Sequence, residues 1–103
     1  MILACASMLV PGMASADMTT ARQTELLHLL KHDCGSCHGM TLQGGLGSAL
    51  TPQVLNGKSE AMLRDTILNG RTGTPMPPWK IFMTAQEADW LVQMLRRGTT
   101  DAK

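Results

Sequence analysis

Cys34-Gly35-Ser36-Cys37-His38 is the stretch on which the reading of this chain turns. Two cysteines at this spacing can each form a thioether to a vinyl group of one haem. The histidine that follows is then held beneath the iron as an axial ligand. Other readings of the spacing fare worse. A thioredoxin-like pair belongs in a βαβ pattern, and the chain shows no alternating β-branched run. A disulfide is the usual meaning of two cysteines in an exported protein, but it gives no role to the adjoining histidine. A zinc site needs two more ligands. Only His28 and His32 remain. Four apart on a helix, they could chelate a metal, but histidines on such a face are expected to meet solvent.

Length and composition agree with a prosthetic group. The chain has 103 residues, enough for one small domain. Domains of this size often need a metal or cofactor to stabilise them. Aromatic residues make up only 3%: Trp79, Trp90, Phe82 and no Tyr. Cores normally use more aromatic area, so a haem is expected to fill the centre. The net charge is +1, and Arg96-Arg97 is the only adjacent basic pair. That excludes the dense basic stripe of a nucleic-acid binder. Two haem propionates would leave the holoprotein near neutral or slightly acidic.

Residues 1–16 carry no charge. Ile2 to Val10 is mostly apolar, Pro11-Gly12 breaks it, and Ala14-Ser15-Ala16 fits a cleavage site before Asp17. This reads as a secretory signal peptide, here without its usual positive n-region, as in a truncated leader. Residues 17–103 then form a monohaem domain in the periplasm. The leader is too short to span a bilayer. Ile2-Leu3-Ala4-Cys5 faintly resembles a lipoprotein box, but Cys5 lies too near the start for a normal apolar region.

Hydrophobic spacing gives an all-α fold with three main helices. The first is expected from Thr20 to Asp33, capped by Thr19 or Thr20, with Leu26, Leu27, Leu29 and Leu30 on one side. The stretch 39–57 is rich in glycine and reads as loop. The second helix is expected over Ser59–Asn69, with Ser59 as cap, Met62, Leu63 and Ile67 buried, and Asn69-Gly70 as its stop. Thr84-Ala85-Gln86-Glu87 is a capping box that opens the third. Trp90, Leu91, Met94 and Leu95 form its apolar face, and Gly98 ends it.

The second axial ligand decides what the iron can do. An open iron could bind a gas or catalyse; a methionine opposite His38 closes it and suits electron transfer. Met62 and Met94 sit on apolar helix faces, Met40 is too close to His38, and Met83 precedes a helix cap. Met76 differs, because it lies in Gly73-Thr74-Pro75-Met76-Pro77-Pro78-Trp79. Three prolines stiffen that loop and remove competing N–H groups. Such a loop can hold one thioether through both iron oxidation states. The His38 ring N–H needs an acceptor, expected among the backbone carbonyls of residues 46–50. Trp79 could shield a haem edge or reach a propionate, or simply pack. Arg71 could pair with a propionate, or remain solvated.

The haem motif, the helix order and Pro75-Met76-Pro77-Pro78-Trp79 together resemble the class I cytochromes c over residues 20–98. That resemblance implies helices around one haem, with the first and last crossing near Trp90. A narrower likeness rests on Arg22-Gln23, Glu25-Leu26-Leu27-His28-Leu29-Leu30, His32-Asp33, Gly44-Gly45-Leu46-Gly47 and the Met76 loop. These runs resemble the small periplasmic cytochromes of denitrification operons, the NirC or cytochrome c-55X type. The likeness implies a non-enzymatic electron carrier, monomeric, with one covalently bound haem c. It also implies cytochrome cd nitrite reductase as partner, through electron donation or through the making of its haem d. A gas-reactive open-site haem protein and a general respiratory carrier are the alternatives. Two positions depart from the class I pattern. Gly47-Ser48 stands where Gly-Pro is common, which implies a less stiff loop behind the ligand histidine. Leu26 stands where a small residue is common, which implies a changed helix crossing.

Overall fold

The computed structural model describes residues 18–98. The leader read over residues 1–16, with Cys5, lies outside the described residues. Helix α1 spans Thr20–Leu29. It begins at Thr19, whose hydroxyl accepts the Arg22 N–H at 3.1 Å, so one orphan donor of the first turn is satisfied.

The helical path does not stop at Asp33. It continues through a π-helical turn, Leu30–Cys34, into the short helix α2, Gly35–His38. The Gly35 N–H bonds to the Leu30 carbonyl, five residues back. A π-turn inserts one residue into the helical register. Leu30 and Gly35 are therefore both buried, while Cys34, Cys37 and His38 are half-buried. Uninterrupted α-helix would have put Cys34 beneath Leu30 instead, four residues on.

The loop expected over 39–57 holds one helical turn near its end. Helix α3 spans Pro52–Leu55, with Thr51 as N-cap and proline in the first turn. Its Leu55 is buried in the core. Helix α4 spans Glu60–Asn69 and is capped by Ser59. Met62 does not join a buried stripe there; it is 46% exposed. Leu63 and Ile67, one turn apart, take the contact with the core, and Met62 is rotated about 100° away from Leu63 around the helix axis. Helix α5 spans Ala85–Arg97, with both bonds of the Thr84–Glu87 capping box made and Gly98 closing it. Among the described residues there is no strand.

The core forms where these helices meet. Leu26 and Leu30 from the first helical run join Leu55, Ala88, Leu91 and Leu95. Leu26 is fully buried, so the larger side chain at this crossing is accommodated. Trp90 is half-buried at the core's edge, and Met83 and Met94 are within it.

One ion pair ties the two ends of the described chain together. Arg22 donates from Nε to Glu87 Oε2 at 2.5 Å and from Nη2 to Glu87 Oε1 at 3.2 Å. Nη2 also donates to the Phe82 carbonyl at 2.6 Å. Glu87 Oε1 accepts the Thr84 N–H at 2.9 Å as well. A bidentate pair of this kind combines charge with direction. The Arg22 guanidinium holds the Glu87 carboxyl below the usual carboxylate range. A depressed folded-state pKa stabilises fully above the unfolded pKa, and that stabilisation is lost as pH falls through the folded value. Glu87→Gln should therefore cost about 1–2 kcal/mol at neutral pH. The gap from the parent holoprotein should narrow in acid, as read by denaturant unfolding. An equal gap at both pH values would contradict this account.

Candidate haem site

A helix leaves its last carbonyls without partners of its own. At the end of α2, the Cys37 carbonyl accepts the Gly47 N–H at 2.7 Å and the His38 carbonyl accepts the Gly44 N–H at 2.8 Å. These bonds fold the glycine-rich loop back against the helix that carries the haem motif. The Ser48 carbonyl is thereby brought 2.6 Å from His38 Nδ1. A carbonyl oxygen can only accept, so Nδ1 is the donor, and in the neutral tautomer that matches this bond the lone pair is on Nε2. This is the acceptor expected within residues 46–50. It fixes ring orientation and raises the basicity of Nε2 as a ligand.

The absence of a proline at Ser48 does not remove that bond, because the backbone supplies it. Gly47 packs directly against the ring. A Cβ on Gly47 would lie 2.9 Å from both Cε1 and Nδ1 of His38. Gly47→Ala should push the imidazole from its place and destabilise the holoprotein by about 1–3 kcal/mol, the usual range for overpacking. Denaturant unfolding with the haem absorption as probe measures it. A loss below a few tenths of a kcal/mol would show that the ring is not held by this contact.

Cys34 and Cys37 form no disulfide with one another. Burial pushes the Cys34 thiol up to about 11, with Asp33 and Cys37 adding to the shift. Met76 comes from the far half of the chain. It is half-buried, between exposed Pro75 and the exposed pair Pro77-Pro78. Its carbonyl accepts the Arg71 N–H at 3.2 Å, and its N–H donates to the Thr74 hydroxyl at 3.3 Å. Beyond the prolines, Trp79 and Lys80 donate to the Ile67 and Leu68 carbonyls at 3.0 and 3.2 Å. The end of α4 thus moors the methionine loop, as the end of α2 moors the histidine loop.

The other residues singled out in the sequence fall as follows. Trp79 is half-buried against the core, its ring 5.6 Å from that of Phe82. Arg71 is exposed and forms no ion pair among the described residues. His28 and His32 are exposed, with ring centroids 4.2 Å apart. Among the described residues no group of three or more metal-ligating side chains gathers. Two contributors escaped the sequence reading. Thr74 looked like one more turn residue, and Gly70 like a plain helix stop.

These residues fit a haem. Two thiols and an imidazole with a free Nε2 share one helical run, and a thioether stands on a separate, braced loop. Apolar side chains near both ligand segments are uncovered: Leu46 is 93% exposed, Ile81 79%, Met40 59% and Phe82 55%. A planar prosthetic group with an apolar face would cover such surface.

A strand-free set of helices, the Cys-x-x-Cys-His run at the end of the first and the methionine loop between the last two define a class I c-type cytochrome. Comparison with known proteins narrows this. The sequence profile of the family described as "Cytochrome C oxidase, cbb3-type, subunit III" matches residues 21–95. Cytochrome c55X of Pseudomonas aeruginosa is 51% identical over 89 residues, covering 86% of this chain and 75% of that protein. Cytochrome c55X of Paracoccus denitrificans is 44% identical over 79% of each chain. A solved structure of the c-type cytochrome NirC superposes with a TM-score of 0.78 at 52% identity, over 80% of this chain and 96% of that one. The dihydro-heme d1 dehydrogenase of P. aeruginosa is 36% identical over 65% of this chain but only 14% of its own length. The chain belongs to the cytochrome c55X family of c-type cytochromes, the NirC type.

Proposed function

We propose that this protein is a periplasmic electron carrier of denitrification, with a single haem c covalently held by Cys34 and Cys37. In this reading His38 Nε2 and the Met76 thioether are the two axial ligands. The bond from His38 Nδ1 to the Ser48 carbonyl carries the argument. It engages Nδ1 as the donor, so that the neutral ring offers Nε2, aimed by a fixed ring, as an axial ligand requires. Bound haem supplies a centre that takes up and releases one electron at a time. The chain's own part is to hold both ligands still and keep water from the apolar faces. Trp79 covers an edge of the group, and Arg71, without an ion-pair partner among the described residues, is available to a propionate.

Residues 1–16 direct export. Among the described residues no helix is long and apolar enough to cross a membrane. In this reading the protein works as a monomer in the periplasm and meets its partners transiently. The partner is cytochrome cd nitrite reductase, with this protein as its electron donor. A second role, in maturation of that enzyme's haem d, is favoured by one observation. The chain resembles a segment of the dihydro-heme d1 dehydrogenase, in sequence and in fold, with a TM-score of 0.61 to its complex with DHE. A module of this shape inside such an enzyme points to a carrier for the electrons that dehydrogenation releases. It is not itself the enzyme. The profile named for a respiratory oxidase subunit would instead suit a general respiratory carrier; the 44–51% identity to cytochromes c55X weighs against that.

Met76→Ala tests the closed iron. The variant should bind carbon monoxide at least about a hundredfold more tightly than the parent when reduced, since about 3 kcal/mol of ligand competition is removed. Equal affinity and equal spectra would leave an open-site haem protein that binds gas. Two further measurements separate the partner roles. Stopped-flow mixing of reduced cytochrome with the purified reductase should oxidise it faster than nitrite alone; no acceleration would end the donor role. Nitrite reductase from a deletion strain should be poor in haem d; normal haem d content would end the maturation role.

A further inference from the structure

Gly70 leaves α4 with φ +70° and ψ −168°. Residues other than glycine essentially never adopt that pair of angles. The turn it makes sends the Arg71 N–H to the Met76 carbonyl and lets the chain return so that Trp79 and Lys80 reach the end of α4. There is no room at this point for a side chain. A Cβ on Gly70 would stand 2.6 Å from the Met76 carbonyl oxygen, 2.9 Å from the Pro77 carbonyl carbon and 3.0 Å from the Pro78 nitrogen. All three neighbours are backbone atoms. Pro77 and Pro78 have fixed φ, so the contact cannot be relieved by swinging a flexible side chain aside. Met76 O alone would have to retreat by about 0.8 Å to reach ordinary contact at 3.4 Å.

We propose that Gly70 is the positioning residue for the Met76 thioether: its bare Cα is the seat on which the Met76-Pro77-Pro78 backbone rests. The prolines make the loop stiff, and Gly70 fixes where the stiff piece sits. Thr74 adds two hydrogen bonds to the same turn. Its hydroxyl donates to the Arg71 carbonyl at 2.7 Å and accepts the Met76 N–H at 3.3 Å. The loop contains its own control. Gly73 also has positive φ, +78°, yet a Cβ there would meet nothing within 4 Å. An alanine at Gly73 strains the backbone without touching the seat.

The inference rests on Met76 as an axial ligand, and the experiment separates the two claims. Gly70→Ala, Gly73→Ala, Thr74→Val and Met76→Ala are made as holoproteins. Carbon monoxide affinity of the reduced protein, midpoint potential and the ferric sulfur-to-iron charge-transfer band are recorded for each. Gly70→Ala should raise carbon monoxide affinity by about tenfold or more, equivalent to about 1.4 kcal/mol. Its charge-transfer band should weaken and its potential fall. Gly73→Ala should stay within about threefold of the parent, and Thr74→Val should lie between them. If Gly70→Ala moves no further than Gly73→Ala while Met76→Ala opens the iron, the seat is refuted and the ligand stands. If Met76→Ala itself matches the parent, the ligand assignment has failed first. Should Gly70→Ala not yield folded holoprotein, Thr74→Val against Gly73→Ala decides. No excess effect of Thr74→Val overturns the proposal.

Discussion

The last turn of an α-helix presents carbonyl groups that no N–H of the same helix can reach. In this chain the two sets that matter are met by N–H groups from the loop that follows each helix. Cys37 and His38, at the end of α2, receive Gly47 and Gly44; Ile67 and Leu68, at the end of α4, receive Trp79 and Lys80. Each bonded return fixes a loop that serves one of the two proposed haem ligands. The first sets the Ser48 carbonyl under the His38 ring. The second sets the Met76 segment against Gly70. An unpaired buried carbonyl would cost about 1–3 kcal/mol, so the demand of the helix ends and the placement of the site reinforce one another. Little else in so small a chain could anchor irregular backbone.

The helical frame beneath these loops is kept in place by few contacts. Leu26, Leu91 and Val92 are essentially without exposure, and α5 packs most extensively against α4 and less against α1 and α3. The Arg22–Glu87 pair supplements the thin contact between the first and last helices. It also reaches the Phe82 carbonyl, six residues after Met76, so the same cation that joins the helices restrains the exit of the methionine loop. Core, ion pair and loop are therefore coupled rather than additive.

Helix identity was legible because caps and apolar spacing are local. Thr19, Ser59 and Thr84 each cap the helix expected of them, and the haem motif is contiguous in sequence. Met76 stood out through its flanking prolines. The Ser48 carbonyl could be anticipated within a few residues, since the ring nitrogen had to find an acceptor nearby. Three features were not visible. The π-turn at Leu30–Cys34 depends on how the first helical run packs, not on any residue type at that point. The turn at Pro52–Leu55 was signalled by Thr51-Pro52 yet hidden within glycine-rich surroundings. Gly70 reads as an ordinary helix stop, because a clash with a carbonyl six residues later exists only once the loop has closed. Met62 was misplaced for a related reason: periodicity names a face, but which edge of that face meets the core is set by neighbouring helices.

The two sides of the site differ in how they achieve stiffness. On the histidine side Ser48 replaces the proline common in class I cytochromes, and rigidity comes from hydrogen bonds and from the contact of Gly47 with the ring. On the methionine side Pro75, Pro77 and Pro78 supply rigidity covalently. This division matches the strengths of the two proposed ligands. An imidazole adjoining a covalent attachment point cannot leave far, so its loop needs only to aim it. The proposed thioether would be a weak ligand with no such tether, and it would have to be presented at the same place whether the iron is ferric or ferrous. A hinged loop there would let the iron open in one oxidation state and would add loop rearrangement to every electron transfer. Proline stiffness without a fixed base would only move the error elsewhere as a rigid body. The base has to be backbone packed on backbone, and only a residue without a Cβ allows that approach at the end of α4.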